Sequence, residues 1–187
     1  MTANSPESRP VLDRVAERAG PLGTGAYVGV LSLVAIAAAG AIGLALRSPW
    51  LFPSLGPTVM LIFASPRDSS SRPINAIVGH AVAIGAGVLC LLAFGMYGQP
   101  SAPDQGLTVG YLLAAACSVA ITAFALGALR LPHLPAGATT LIISLGVIAD
   151  PVGILSMAAA LAFTIAAAWG MNVLLRTHPA PRTENAK

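Results

Sequence analysis

Four long stretches without a single Asp, Glu, Lys or Arg decide what this chain can fold into: Ala26–Leu46, Asn75–Tyr97, Leu107–Leu129 and Val152–Leu175. A helix of about 20 apolar residues, rising about 1.5 Å per residue, spans the roughly 30 Å hydrocarbon core of a bilayer. Each stretch is that long. Only 9% of the 187 residues are charged, against roughly 25% in a soluble domain. The chain is therefore read as an integral membrane protein. It has one transmembrane domain at 25–176, a polar segment at 1–24 and a polar tail at 177–187. The first run exceeds the roughly 7–15 residues of a signal-peptide core, so it is expected to span rather than to be removed. Within the first segment, Val11, Leu12 and Val15 share one face of a short amphipathic helix expected over Pro10–Ala19.

Several function classes fall away. The net charge of +3 comes from scattered residues at segment ends, not from the clustered basic patch that nucleic acid requires. Cys90 and Cys117 lie in apolar runs with no Cys or His at metal-ligand spacing. No metal or cofactor is expected. The sequence holds no Gly-x-Ser-x-Gly, no His-Glu-x-x-His and no paired carboxylates within the apolar runs, so an enzyme is not expected.

Two further apolar stretches are too short and too broken for ordinary spans. Leu51–Ala64 and Leu131–Ser144 each read as a Pro-rich extended entry, a Gly, a Thr and a short apolar helix. Proline is costly inside a helix but tolerated at its start. Helices are therefore expected to begin around Gly56-Pro57-Thr58 and around Ala136-Gly137-Ala138-Thr139. Each would leave free N–H groups at mid-membrane, where lipid cannot satisfy them. A helix N-terminus carries partial positive charge and outward-pointing donors, which suits an anion. Ser54, Thr58, Thr139 and Thr140 add hydroxyls, and His133 lies in the second entry. The expected binding set is Ser54, Gly56, Pro57, Thr58, His133, Ala136, Gly137, Ala138, Thr139 and Thr140. The ligand class is a small monovalent anion, with nitrite, nitrate, formate, bicarbonate and halide all open on these grounds. The plainer alternative is a pair of kinked, tightly packed helices whose Thr hydroxyls bond their own backbone.

The two halves, about 25–97 and 106–176, match at an offset of 81 residues. Gly25 and Gly29 match Gly106 and Gly110. Gly56 and Thr58 match Gly137 and Thr139, and Met60, Ile62 and Ile84 match Leu141, Ile143 and Ile165. Each half opens with Gly-x-x-x-Gly, a pattern that permits close helix packing. If each broken stretch crosses, there are six crossings and both termini lie in the cytoplasm. Arg67, Arg72 and Arg130 then fall inside as the positive-inside rule asks, and only Arg47 does not. The alternative, four spans with two re-entrant segments, reverses those arginines. Six extended residues at about 3.3 Å and nine helical ones at about 1.5 Å together reach across the core. The expected fold is an all-α polytopic bundle with a 3+3 inverted repeat, as in many secondary transporters, in a plasma membrane of bacterial type.

His80, in the second span, and Asn75, near its start, are candidates for gating or proton linkage, because ionisable groups inside spans are functional by default. Helix capping by Asn75 and packing near the membrane surface by His80 are the plainer readings. Asp150 reads as a turn residue or helix cap.

Phe52-Pro53-Ser54-Leu55-Gly56-Pro57-Thr58, then Ala64-Ser65-Pro66, Arg72-Pro73, Asn75 and Gly79-His80, resembles the HPP family of integral membrane proteins. That family's His-Pro-Pro followed by Ala-Gly-Ala-Thr is matched by His133-Leu134-Pro135-Ala136-Gly137-Ala138-Thr139, with Leu134 in place of a proline. Leu134 still precedes Pro135 and so stays extended. The resemblance covers about residues 26–175 and implies transport of nitrite or a similar small anion. Channel and carrier are both compatible with it. A non-transporting membrane scaffold or accessory subunit is the competing function. A homo-oligomer in the lipid bilayer is the expected assembly.

Overall fold

The fold is given by a computed structural model, which describes residues 9–177. His178, Arg182 and Lys187 of the expected tail lie outside the described residues. The described residues hold seven α-helices and no strand. They are α1 (Val11–Leu46), α2 (Leu55–Ala64), α3 (Pro73–Ala93), α4 (Ala102–Gln105), α5 (Val109–Ala128), α6 (Ala136–Ser144) and α7 (Pro151–Leu174). Helices α1, α3, α5 and α7 are long and apolar enough to cross a membrane. Helices α2 and α6 are the two broken stretches.

The expected amphipathic segment and first span are one helix, turned at Gly20. There φ is 58° and ψ is −149°, a backbone shape that glycine adopts at no steric cost. Pro21 follows and restarts the helix, its missing N–H falling where the break leaves none to satisfy. Leu12 is buried while Glu17 and Arg18 are exposed, so the expected amphipathic face is the one used. The connection between α3 and α5 contains the single-turn α4.

Helix α2 starts at Leu55, one residue before its expected start. Ser54 already has helical angles, and Leu55 N–H bonds the Phe52 carbonyl. Pro57 is thereby the third helical residue, still among the positions whose N–H has no intrahelical partner. Helix α6 starts where expected, behind a turn in which Ala136 N–H bonds the His133 carbonyl and Gly137 N–H bonds the Leu134 carbonyl.

Hydrogen bonds between distant residues sort the loops into two ends of the bundle. At one end Val11 N–H meets the Leu175 carbonyl, and Asn172 Nδ2 donates to the Ile62 carbonyl. Arg67 pairs with Asp13, and His133 Nδ1 meets the Ser70 carbonyl. At the other end Ala102 N–H bonds the Leu145 carbonyl, and Ser48 Oγ lies 2.8 Å from Ser156 Oγ. Segment 50–64 thus runs from the second end to the first, and segment 131–144 runs back. Neither returns to the end it came from, so the broken stretches traverse the bundle.

The principal packed pairs are α1 with α2 and α7, α5 with α6 and α3, α2 with α7, α6 with α3, and α3 with α7. Exchanging the halves (α1 for α5, α2 for α6, α3 for α7) maps this set onto itself. Two apolar clusters correspond in the same way. Ala35, Val59, Ile62, Phe63 and Ala168 join α1, α2 and α7, while Ala83, Leu126 and Ala136 join α5, α6 and α3. A Cβ at Gly25 or Gly29 would meet nothing within 4 Å among the described residues, whereas one at Gly110 would run into Met96. The first Gly-x-x-x-Gly therefore has no packing role within the described bundle.

Candidate functional site

Thr58 and Thr139 stand in the first turns of α2 and α6, which run in opposite senses through the bundle. Both are fully buried, and both reach one imidazole. His80 Nε2 lies 3.1 Å from Thr58 Oγ1, and His80 Nδ1 lies 2.9 Å from Thr139 Oγ1. His80 comes from the middle of α3, which packs on α6 and α7, and is 3% exposed. Its place is therefore the centre of the bundle rather than the surface.

A second imidazole completes the group. His133 Nε2 lies 3.2 Å from His80 Nε2, the rings meeting edge to face at 72°. His133 is 2% exposed, and its Nδ1 lies 2.9 Å from the Ser70 carbonyl. The close approach depends on Gly79, since a Cβ there would fall 2.9 Å from His133 Cβ.

The partners fix the direction of each hydrogen bond. Ser70 offers only a carbonyl, so His133 donates from Nδ1. A neutral His133 then accepts at Nε2, so His80 donates from Nε2. Thr58 donates its hydroxyl to the Ser54 carbonyl at 2.8 Å, so toward His80 Nε2 it accepts. His80 Nδ1 is then an acceptor, and Thr139 donates to it. A single line of donation runs from Thr139 through His80 and His133 to Ser70, with Thr58 as a side branch.

The remaining expected residues divide around this line. Thr140 donates to the Ala136 carbonyl and lies 3.0 Å from Thr122 Oγ1 on α5. Ser54 is fully buried at the cap position of α2, and its hydroxyl has no partner among the described residues. Ala136 is buried, while Gly56, Gly137 and Ala138 are half-buried and Pro57 is exposed. Pro57 and Ala138, with Leu61, Leu134 and Pro135, line a shallow apolar groove of about 350 Å³. Asn75 does not cap α3, which no side chain caps. Its amide instead reaches the Pro132 carbonyl at 3.4 Å and ties the second entry to α3.

Four buried or bonded polar residues escaped the sequence reading. Thr122 looks like any Thr in an apolar helix. Ser70 takes part through its backbone, which has no residue-type signature. Ser144 and Thr164 are buried hydroxyls without a partner among the described residues, and nothing in their spacing marks them out. The other side of His133 lines a cavity of about 720 Å³ bordered by Ser69, Thr122, Arg130 and Gly137. This cavity lies at the end of the bundle that holds the Ser65–Arg72 turn.

The family model for the HPP transmembrane region matches residues 18–181. The chain belongs to the HPP family. The matched residues include α2, α6, His80 and His133, so the HPP region and the buried polar line occupy the same part of the molecule. Leu134, where the family's name calls for proline, is exposed beside the His133–Ser70 bond and is not part of the line. No curated protein and no solved structure matches the chain.

Proposed function

We propose that this HPP protein carries a small monovalent anion across a bacterial-type plasma membrane, with nitrite first among the candidates. The observation that carries this reading is the convergence of two opposed half-helix N-termini, through Thr58 and Thr139, on one imidazole. The first N–H groups of α6, expected to be free, are taken by the His133, Leu134 and Pro135 carbonyls, so the two helix ends favour an anion here through the direction of their dipoles. No carboxylate lies in α2, α3, α5, α6 or α7 to repel an anion, and Asp13 and Glu17 of α1 precede its turn at Gly20. The buried, unpartnered Ser54 hydroxyl adds a donor beside the start of α2. One small anion fits such a site better than a polyanion, because no fixed cation is part of it.

The bundle is read as a 3+3 inverted repeat with six crossings. Arg67, Arg72, Arg130 and Arg176 share one end and Arg47 alone marks the other, so the first end is assigned to the cytoplasm. Both termini of the membrane domain are then cytoplasmic. Flux into proteoliposomes with nitrite, nitrate, formate, bicarbonate and chloride tests the reading. Uptake of one or more above protein-free vesicles is the expected result, and absence of uptake for all of them with folded protein sinks it. The competing scaffold reading draws on the closed hydrogen-bond line, which also suits a structural pin. It predicts that Thr58→Val and Thr139→Val lower stability while no anion flux exists to lose.

A further inference from the structure

We infer that the anion and one proton bind this site together, so that the unit moved is electrically neutral. The inference rests on the anion-carrying reading above and adds the coupling ion to it. In the line of donation, every N–H and O–H of the four side chains is already spent on a protein acceptor: Thr139 on His80, His80 on His133, His133 on Ser70, Thr58 on Ser54. An anion entering here would find no unspent donor on these four side chains, and only neutral hydroxyls such as that of Ser54 to turn to. It would also find no counter-charge, and an unpaired charge in a dry interior is very costly.

One proton removes both obstacles. Added at His80 Nδ1, it makes the imidazole a cation at the meeting point of the two half-helices. His80 then donates to Thr139 instead of accepting from it, and the Thr139 O–H is released to point at a new acceptor. The proton comes from water and returns to it when the anion leaves. No covalent bond changes and nothing is oxidised or reduced. Each ligand then tightens the other by the same factor, as linkage requires.

The charged groups nearest the pair are Arg67, Asp68 and Arg72, around the Ser69–Ser71 turn that packs on α3 and meets His133. Helices α2, α6 and α7 carry no titratable side chain, and α5 carries only Tyr111 and Cys117. Tyr111 donates to the Pro100 carbonyl at the far end of the bundle. His133 is the one titratable side chain in contact with His80, and beyond it Arg130 borders the cavity. That cavity reaches His133, the outer member of the imidazole pair. At the other end the offset of 81 places Leu161 at the position of His80 and Phe52 at that of His133. Both belong to a buried apolar cluster with Leu55, Ile142, Ile143 and Met157.

The test is calorimetry of sodium nitrite binding to the purified full-length protein at pH 7, in two buffers of different ionisation enthalpy. Uptake close to one proton per anion is expected. Binding with no proton uptake overturns the inference and leaves the anion site standing, whereas no binding together with no flux removes both. In proteoliposomes the same coupling makes nitrite flux insensitive to an imposed potassium diffusion potential, and flux that follows the potential overturns it. His80→Gln keeps a donor and an acceptor but cannot carry the charge. It should abolish the proton uptake and weaken nitrite binding about 10- to 100-fold, the usual span of such couplings. A folded His80→Gln protein that still takes up one proton per anion would place the coupling elsewhere and overturn the assignment.

Discussion

At the residue scale, the site is a set of hydroxyls and imidazoles that satisfy one another, and single-atom changes should be felt. Thr139→Val keeps the shape but leaves His80 Nδ1 buried without a donor, at a cost of about 1–3 kcal/mol. Thermal unfolding in detergent should register that loss, and Thr139→Ser should recover it. Gly79→Ala drives a methyl group against His133. Such overpacking costs about 1–3 kcal/mol, and it should also abolish nitrite uptake by pushing His133 off His80. A Gly79→Ala protein with unchanged melting and uptake would mean that the close approach is not required. Thr58 and Thr139 were legible in the sequence because they sit beside Pro and Gly at matched positions, and His133 because it is a titratable residue in the Pro-rich second entry. The link that joins them was not, since His80 lies 59 residues from Thr139 and 53 from His133 in the chain.

At the scale of elements, run length and proline placement located the helices, and capping set their ends. Helix α7 begins at Pro151 behind Asp150, whose Oδ1 accepts from Gly153 N–H at 2.7 Å. Asp150→Ala should lower stability by about 1 kcal/mol, read as a shift in the urea or thermal midpoint. An unchanged midpoint would show that the cap bond contributes nothing. Asp150 was legible as a cap because Asp-Pro at the head of an apolar run has few other uses. Asn75 was not, since its side chain answers to the Pro132 carbonyl in a segment distant in sequence. The continuation of α1 back to Val11 was likewise hidden, because Gly20-Pro21 reads as an end in sequence and acts as a turn between two helical pieces.

At the scale of the whole molecule, the two ends of the bundle make a direct prediction. With Cys90 and Cys117 replaced by alanine, a cysteine at Ser69 should react with a membrane-impermeant maleimide only from the cytoplasmic side. A cysteine at Gln99 should react only from outside. Labelling of Ser69→Cys from outside and of Gln99→Cys from the cytoplasmic side is what four crossings give, and it would contradict six. The traverse of the broken stretches was partly legible, because arginine placement already favoured it over re-entrant loops. The unequal interior was not, since the offset that pairs Thr58 with Thr139 gives no warning that His80 and His133 pair with Leu161 and Phe52.

That inequality bears on assembly. Thr58 and Thr139, related by exchange of the halves, share one imidazole lying between them. Two identical half-size subunits would bring two copies of His80 to a space that holds one, and two copies of Leu161 to a place that needs a base. When both halves belong to a single polypeptide, one half can hold histidine where the other holds leucine. The short connection through residues 98–106 therefore does more than join two halves. It lets corresponding positions carry different residues, and so makes a one-sided site possible in a two-sided frame.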